Sequence, residues 1–240
     1  MRILILGGTG EARELAARLD GLGHEVVTSL AGRTSAPLLP AGELRVGKFG
    51  GVPGLAGYLK ARSFDRLVDA THPYAGLISA NAVSAAQQAG VPLIRYMRPA
   101  WTEPAGANWI HVPDMAFAAA ALPSGAKALI TTGHEGLEGF LERDDCELIV
   151  RLLEVPDAPL PRHATLLLGH PPYDLVYEVA LMKREDISHL VSKNSGGAQT
   201  EAKLEAAVRC GVSVIMVDRP AYGPATETGT LDETIAALHL

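Results

Sequence analysis

A glycine-rich turn near the start of the chain is the first place where residue types and spacing suggest chemistry. The apolar run 3–6 leads into Gly7-Gly8-Thr9-Gly10-Glu11, and a helical pattern follows. Glycines between a strand and a helix let the backbone approach a diphosphate, and the helix N-terminus adds N–H groups and a partial positive charge. Arg13 stands where a complete GxGxxG motif has its third glycine. We predict that the pyrophosphate of a dinucleotide binds at Gly8, Thr9, Gly10 and Glu11; a plain strand–helix turn is the alternative.

The end of the second apolar run should distinguish NAD from NADP. An NAD site has an acidic residue here, which binds the ribose 2′-hydroxyl. The sequence has no carboxylate from Val27 to Arg33. Because a guanidinium matches the oxygens of a phosphate, Ser29 and Arg33 could hold the 2′-phosphate of NADP instead. The pattern favours NADP, with an ordinary surface arginine as the alternative.

A polar segment, Asp69-Ala70-Thr71-His72-Pro73-Tyr74-Ala75, follows a third apolar run. Ligands of open α/β sheets bind beyond the carboxyl ends of the strands, so Thr71, His72 and Pro73 are expected to contact the cofactor. His72 and Tyr74 can donate hydrogen bonds or protons near a nicotinamide ring. The alternative is a helix that begins at Pro73, is capped by Thr71 or His72, and buries its tyrosine.

Cationic residues follow three apolar runs in the second half of the chain. Lys193 opens the segment Lys193-Asn194-Ser195-Gly196-Gly197, His134 follows the run 127–131, and Arg219 follows the run 213–217. Small polar side chains and backbone N–H groups beside a cation form an anion-binding nest. We predict one shared site for a large anionic ligand; three separate solvated loops are the alternative. The predicted members of this site are His134, Lys193, Asn194, Ser195, Gly196 and Arg219.

Four short segments carry a resemblance to a known family. They are GGTGEA at 7–12, DATHPYA at 69–75, RPAW at 98–101 and SKNSGG at 192–197. In this order they resemble the precorrin-6A reductases of cobalamin (corrin) biosynthesis. The resemblance implies hydride transfer from NADPH to the macrocycle of precorrin-6A, giving precorrin-6B. It implies a tetrapyrrole substrate with many carboxylates, and Lys193 would clamp one of them or bias the charge of the macrocycle. Together with His72 and Tyr74, the donors near the nicotinamide, Lys193 is an expected catalytic residue.

Strands and helices that could position these residues alternate along the chain, which is typical of parallel sheets covered on both faces. The expected fold class is α/β: two Rossmann-like lobes, each a parallel sheet flanked by helices, with the active-site cleft between them. A break in the pattern at 97–108 separates an NADP-binding lobe, 1–98, from a substrate lobe, 107–240. Strands are predicted at 2–6, 25–30, 44–46, 66–70, 92–96, 109–112, 127–131, 147–152, 175–179, 188–192 and 213–217, helices at 11–22, 53–61, 75–89, 114–121, 136–142, 199–210 and 231–238, and a proline-rich loop at 155–172.

Composition and missing motifs disfavour several classes of function. A net charge of −6 with a pI near 5.7 argues against nucleic-acid binding. No apolar stretch reaches the ~18 residues of a membrane span, and two isolated cysteines suit a reducing compartment, so a cytoplasmic location is expected. The eight histidines are scattered and predict no metal site. The P-loop-like GELRVGK at 42–48 has Phe49 where Mg²⁺ binding needs a hydroxyl, so it does not indicate ATP binding.

Three hypotheses for function stay open at this stage. The first is NADPH-dependent hydride transfer to a tetrapyrrole. The second is an NADP-binding sensor without turnover, and the third is a non-redox tetrapyrrole enzyme with two similar lobes, such as a cyclising synthase. Within the first hypothesis, the residues leave open whether the substrate contains cobalt.

Overall fold

The chain folds into two compact α/β units. A computed structural model describes residues 1–32 and 39–239. One unit comprises Met1–Arg98 and Pro220–Leu240, and the other comprises Pro99–Arg219. Among the described residues, no helix has both the length and the hydropathy to cross a bilayer. In chain order the elements are β1 Arg2–Leu6, α1 Gly10–Gly21, β2 Glu25–Leu30, β3 Glu43–Val46, α2 Gly51–Ala61, β4 Arg66–Asp69, α3 Gly76–Ala89, β5 Leu93–Tyr96, β6 Trp109–Val112, α4 Met115–Ala121, β7 Lys127–Ile130, α5 Glu138–Leu141, β8 Glu147–Leu152, β9 Ala164–Leu168, α6 Leu175–Arg184, β10 His189–Lys193, α7 Ala202–Cys210, β11 Ser213–Val217, β12 Thr226–Thr228 and α8 Leu231–Ala237.

The first unit is built on a parallel sheet with the strand order β3-β2-β1-β4-β5-β12. Its central strand is apolar on both faces because helices cover both sides. Ile3 and Ile5 of β1 pack in a core cluster with residues of α1 and α8. Leu4 and Leu6 pack in a second cluster with residues of α2 and α3. This is the strand order of a Rossmann-type sheet, in which ligands bind where the order reverses, beyond β1.

The second unit repeats the arrangement with the strand order β9-β8-β7-β10-β11-β6, again parallel throughout. Here β7 takes the central position that β1 has in the first sheet. One face of this sheet packs on α6 and α7 through a core cluster that includes Leu129, Leu190, Leu181 and Leu204. The prediction of an α/β fold with two parallel, helix-flanked sheets is confirmed.

Residues 175–179, predicted as a strand, are helical, so that prediction is wrong. They form the start of α6, whose first turn is capped by Asp174, since the carboxylate accepts a hydrogen bond from the Tyr177 N–H at 2.7 Å. A run of five apolar and polar residues fits the two-residue period of a strand as well as the 3.6-residue period of a helix. The helix becomes evident only from the buried residues farther along, Leu181 and Met182. A strand that was not predicted, β9, lies inside the stretch 155–172, which was predicted as a loop.

The last segment of the chain belongs to the first unit, which differs from the predicted boundary of 107–240 for the second lobe. Residues of β12 pair in parallel with β5, with Thr228 opposite Tyr96. The buried Arg95 fixes the segment, because it donates hydrogen bonds to the Gly223 carbonyl and to Glu227, each at 3.0 Å. The sequence Thr-Glu-Thr has no apolar alternation, so only these tertiary contacts identify it as a strand.

Candidate functional site

The glycine turn after β1 has the geometry of an anion seat. Thr9 caps α1, since its Oγ1 accepts a hydrogen bond from the Ala12 N–H at 3.0 Å and donates one to the Ala70 carbonyl at 3.0 Å. Gly8 has a φ of +116°, and no described heavy atom lies within 4 Å of the position that a Cβ would take there. The N–H groups of a first helical turn have no acceptor within the helix, so a phosphate can approach them through this open space.

An ion pair lies at the same helix end. Arg98 donates to Glu11 Oε1 at 2.7 Å. Burial by itself raises the pKa of the Glu11 carboxyl, but the hydrogen bond from its own backbone N–H and the positive charge of Arg98 outweigh burial, and the pKa is lowered. Arg98 thus supplies a cation beside the seat, which sequence reasoning missed although the residue opens the RPAW segment. It lines a small pocket together with Thr9, Thr71, Pro73 and Tyr96.

The segment after β4 is organised by Asp69 rather than by a helix cap. The buried Asp69 accepts hydrogen bonds from the Thr71 N–H at 3.2 Å and from the Thr71 hydroxyl at 2.7 Å. The alternative of a helix starting at Pro73 and capped by Thr71 or His72 is wrong, because α3 begins at Gly76 and no side chain caps it. Asp69 instead pulls the chain into a turn ahead of the helix, and this turn holds Thr71 and Pro73 beside Thr9.

His72 is exposed on this turn, and Tyr74 is half-buried beside it. The His72 ring is exposed, and its Nδ1 accepts a hydrogen bond from the Tyr74 N–H at 3.2 Å. The two rings are tilted, with centroids 5.9 Å apart. The structure therefore brings these two predicted residues together on the same edge of the sheet as the glycine turn.

The end of β2 carries an arginine that the sequence analysis did not select. Ser29 and Arg45 stand opposite each other in the β2–β3 register, and Arg45 Nη1 donates to Ser29 Oγ at 3.3 Å. The guanidinium lies over the ring of Phe49, 3.7 Å from its centroid, and donates to the Gly47 carbonyl at 2.5 Å. Arg33, the predicted partner of Ser29, lies outside the described residues. Arg45 and Ser29 are neighbours because of how β2 and β3 pair. A single sequence does not specify that pairing, so the sequence analysis could not identify Arg45.

Two of the segments that carry the resemblance contact each other in the second unit. The Asn194 side chain accepts from the Trp101 N–H at 2.8 Å and donates to the Trp101 carbonyl at 3.1 Å. The Trp101 indole N–H donates to the Gly197 carbonyl at 3.2 Å. The residues after Met97 were predicted as a linker; no helix or strand forms from Pro99 to Ala107, but Trp101 is buried against the SKNSGG loop.

Arg219 shapes the same loop from the next strand. Its Nε donates to the Asn194 carbonyl at 2.8 Å and its Nη2 donates to the Ser195 carbonyl at 3.1 Å. Gly196, with a φ of +69°, follows, and a Cβ there would lie 2.1 Å from the Pro99 carbonyl oxygen. Only glycine fits at this position, so Asn194, Gly196 and Arg219 hold the loop in one conformation.

Lys193 is the last residue of β10, and His134 follows the neighbouring strand β7. The side chain of Lys193 is 10% exposed, and its Nζ lies 3.8 Å from Glu135 Oε2. His134 is exposed next to Glu135. The structure thus brings Lys193, His134 and the braced SKNSGG loop to one edge of the second sheet.

Behind this edge lie buried charges that sequence reasoning missed. Arg151 of β8 donates to Glu178 of α6 at 2.7 Å, and both side chains are buried. Lys203 of α7 is also buried, and its Nζ donates to Thr131 Oγ1 at 3.1 Å. Arg151 stands in the apolar strand ELIVRL and Lys203 in an amphipathic helix, so neither pattern signals a buried charge.

Two parallel, helix-flanked sheets, one of them with Rossmann strand order and a capped helix behind a glycine turn, define a Rossmann-like α/β protein. Comparison with known proteins narrows this class. The family model described as "Precorrin-6x reductase CbiJ/CobK" matches residues 2–239, and the chain belongs to this family.

Similar proteins cover nearly the whole chain. The precorrin-6A reductase of Rhodococcus erythropolis is 46% identical over 239 residues, which is 99% of this chain and 96% of that protein. The precorrin-6A reductase of Rhodobacter capsulatus is 43% identical over 233 residues, 96% of this chain and 93% of that protein. A solved structure described as "CobK precorrin-6A reductase" superposes with a TM-score of 0.93 at 41% identity, covering 100% of this chain and 96% of that one.

Proposed function

We propose that this chain is a precorrin-6A reductase, which uses NADPH to reduce the macrocycle of precorrin-6A to that of precorrin-6B. The observation that carries the proposal is full-length membership of a reductase family, with 46% identity to a protein of that name. The metal-free substrate is favoured over its cobalt-containing counterpart because both relatives described above bear the name precorrin-6A reductase. The cytoplasmic location stays a prediction; both cysteines are free thiols.

The first unit supports the cofactor half of this proposal. When bound, NADPH supplies the hydride. Gly8, Thr9, Gly10 and Glu11 would hold its pyrophosphate, because the turn is open at Gly8 and lies at the N-terminus of a capped twelve-residue helix. Arg98 would offset the negative charge of Glu11 beside the phosphates.

The adenosine 2′-phosphate is assigned to Ser29 and Arg45, where the sequence analysis had proposed Ser29 and Arg33. Arg45 is held over the ring of Phe49, so little side-chain entropy is lost when it binds a phosphate. At the other end of the cofactor, Thr71, His72 and Pro73 would contact the nicotinamide half, with His72 and Tyr74 as hydrogen-bond donors near the reacting ring.

The second unit supports the substrate half. A macrocycle with several carboxylates requires fixed cations and N–H groups, and Lys193, His134 and the loop Ser195–Gly196 lie at one sheet edge. Lys193 would bind a substrate carboxylate in exchange for Glu135. Asn194 and Arg219 would act through the loop, whose conformation they fix by their contacts with Trp101 and the loop carbonyls.

The test is turnover with defined reactants. Purified protein, precorrin-6A and NADPH should give precorrin-6B with one NADPH oxidised per macrocycle, and NADH should be a poor substitute. Tight NADPH binding without oxidation in the presence of precorrin-6A would favour the sensor hypothesis. No affinity for either dinucleotide would contradict the proposal and favour a non-redox tetrapyrrole enzyme.

A further inference from the structure

Lys203 is the most unusual ionisable group in the described part of the second unit. It is the second residue of α7, its side chain is 4% exposed, and its Nζ lies 5.4 Å from the centroid of the Trp101 ring. The hydrogen bond from Nζ to Thr131 Oγ1 is 3.1 Å long. Removing an ammonium group from water costs several kcal/mol unless a close counter-ion compensates.

The charges around Lys203 do not balance it. Two charged side chains act on it electrostatically: Arg151 from β8 and Glu178 from α6. Glu178 already pairs with Arg151 at 2.7 Å, so one carboxylate serves two cationic groups. An apolar residue at position 203 would pack in the same core without this penalty. A buried amine that is costly to charge and has no carboxylate of its own is a candidate for a functional role.

The surroundings tune Lys203 toward proton exchange near neutral pH. Burial lowers the pKa of its ammonium group to about 7, the charge of Arg151 lowers it as well, and Glu178 opposes the shift. An acid is most useful in catalysis when its pKa is near the working pH, because it is then protonated often enough and releases its proton readily.

Thr131 connects this amine to the edge of the sheet where the substrate is proposed to bind. It comes directly after β7, is partly exposed, and precedes Gly133, where no described heavy atom lies within 4 Å of a Cβ position. Its hydroxyl donates to the Val191 carbonyl at 2.8 Å, and its own backbone N–H donates to the same oxygen at 3.0 Å. The hydroxyl can therefore turn toward a ligand without leaving that carbonyl unpaired.

We infer that the Thr131 hydroxyl delivers the proton that must accompany hydride transfer, and that Lys203 replaces it. This inference rests on the proposed function. Reduction of a conjugated double bond adds a hydride to one atom and a proton to its partner atom in the macrocycle. The O–H bond of Thr131 breaks as the new bond to the macrocycle forms, an N–H bond of Lys203 breaks as the hydroxyl is restored, and Lys203 becomes a neutral amine. Water reprotonates this amine after the product leaves.

The experiment is a pH profile of kcat for precorrin-6A reduction, measured with saturating NADPH. In the wild type, kcat should fall as the pH rises through about 7, because the protonated form of Lys203 is required. Thr131→Val keeps the shape of the side chain and removes the hydroxyl, and should lower kcat by about 10²- to 10⁴-fold with NADPH affinity unchanged. Thr131→Ser should be faster than Thr131→Val and should keep the fall in kcat above pH 7. Thr165→Val, on the exposed face of β9, should match the wild type.

Two lysine variants separate proton transfer from charge and from folding. Lys203→Met should be slow at every pH, and Lys203→Arg should also be slow, because an arginine keeps the positive charge and does not release its proton. Thermal unfolding shows whether each Lys203 variant is folded. If neither is, the comparison of Thr131→Val with Thr131→Ser decides whether the relay exists. Full activity of Thr131→Val, or restored activity in Lys203→Arg, overturns the relay and leaves the reductase proposal intact. A wild type without turnover removes the proposed function and the relay together.

Discussion

The two sheets share a strand order except at one edge, where β6 precedes the central strand of its sheet and β12 is the last strand in the chain. The segments that follow the two central strands differ more. After β1 the glycine turn leads into α1, twelve residues long and capped by Thr9. After β7 the chain runs through residues 131–137 before α5, which has four residues and no side-chain cap. A helix of one turn has little macrodipole and offers few oriented N–H groups. The second sheet instead has Lys193 at the corresponding edge, and the buried Lys203 and Arg151 lie behind it.

On the proposed function, this difference would let two sheets of similar topology bind two kinds of anion. A diphosphate is compact, and backbone N–H groups at a helix end suit it. A macrocycle with dispersed carboxylates needs separate cations, and Lys193 of β10 and His134 after β7 would supply them. The proposal therefore assigns the choice of ligand to the segment that follows the central strand and not to the strand itself.

Among the tests of ligand binding, the largest expected effect comes from closing the glycine turn. Gly8→Val places a β-branched residue at a φ of +116°, in the space proposed for the pyrophosphate. Strain and steric exclusion together should raise the Kd for NADPH by about 100-fold, since each 1.4 kcal/mol is tenfold. Calorimetric titration measures the change. Gly125→Val, at a φ of +78° with equally open surroundings, is the matched control and should bind NADPH normally.

The second sheet is tested at Lys193. Lys193→Ala should raise KM for precorrin-6A by roughly 30-fold, because a hydrogen bond to a charged group contributes about 1.5–3 kcal/mol. Affinity for NADPH should not change, because Lys193 is proposed to bind the substrate and not the cofactor. Lys183→Ala, an exposed lysine of α6, serves as the control. An unchanged KM and kcat in Lys193→Ala would remove this residue from the substrate site.

A finer test concerns the choice of cofactor. Arg45→Met should weaken NADPH binding by about tenfold and leave NADH binding unchanged, because NADH has no 2′-phosphate. Titration with 2′,5′-ADP and with 5′-AMP isolates the effect without any reaction. Arg62→Met is the control. Like Arg45, Arg62 lies over an aromatic ring, that of Tyr58, but it forms an ion pair with Glu43. Equal losses for both nucleotides would argue that Arg45 only supports the fold.

The smallest expected effect concerns stability. Lys203→Met should raise the free energy of unfolding by about 1 kcal/mol at pH 6, because a buried cation is replaced by an apolar side chain. Burial lowers the pKa of Lys203 in the folded state to about 7 from 10.5, so between these pH values the unfolded wild type binds more protons than the folded one. Wild-type stability should therefore rise with pH over this range, and the advantage of the variant should shrink. Denaturant unfolding at pH 6 and pH 9 measures the difference; a constant difference would contradict burial of an ionisable amine.

Sequence patterns predicted the parts of the molecule that local rules determine. The buried strands β1 and β10, the amphipathic α1 and the glycine turn follow from hydrophobic periodicity and from glycine spacing. The start of α6 was misassigned because a run of five residues fits two periods. The strand Thr226–Thr228 and the pairing of Ser29 with Arg45 depend on partners distant in sequence. The buried position of Lys203 likewise depends on how α7 packs, which a helix pattern does not specify.

Hydrogen exchange measured by mass spectrometry, with and without NADPH, tests most directly whether the first sheet alone receives the dinucleotide. The amides of residues 8–12 should exchange more slowly when NADPH is present, while those of residues 193–197 should exchange at the same rate as before. Slower exchange at 193–197 with no change at 8–12 would contradict the division of ligands between the two sheets.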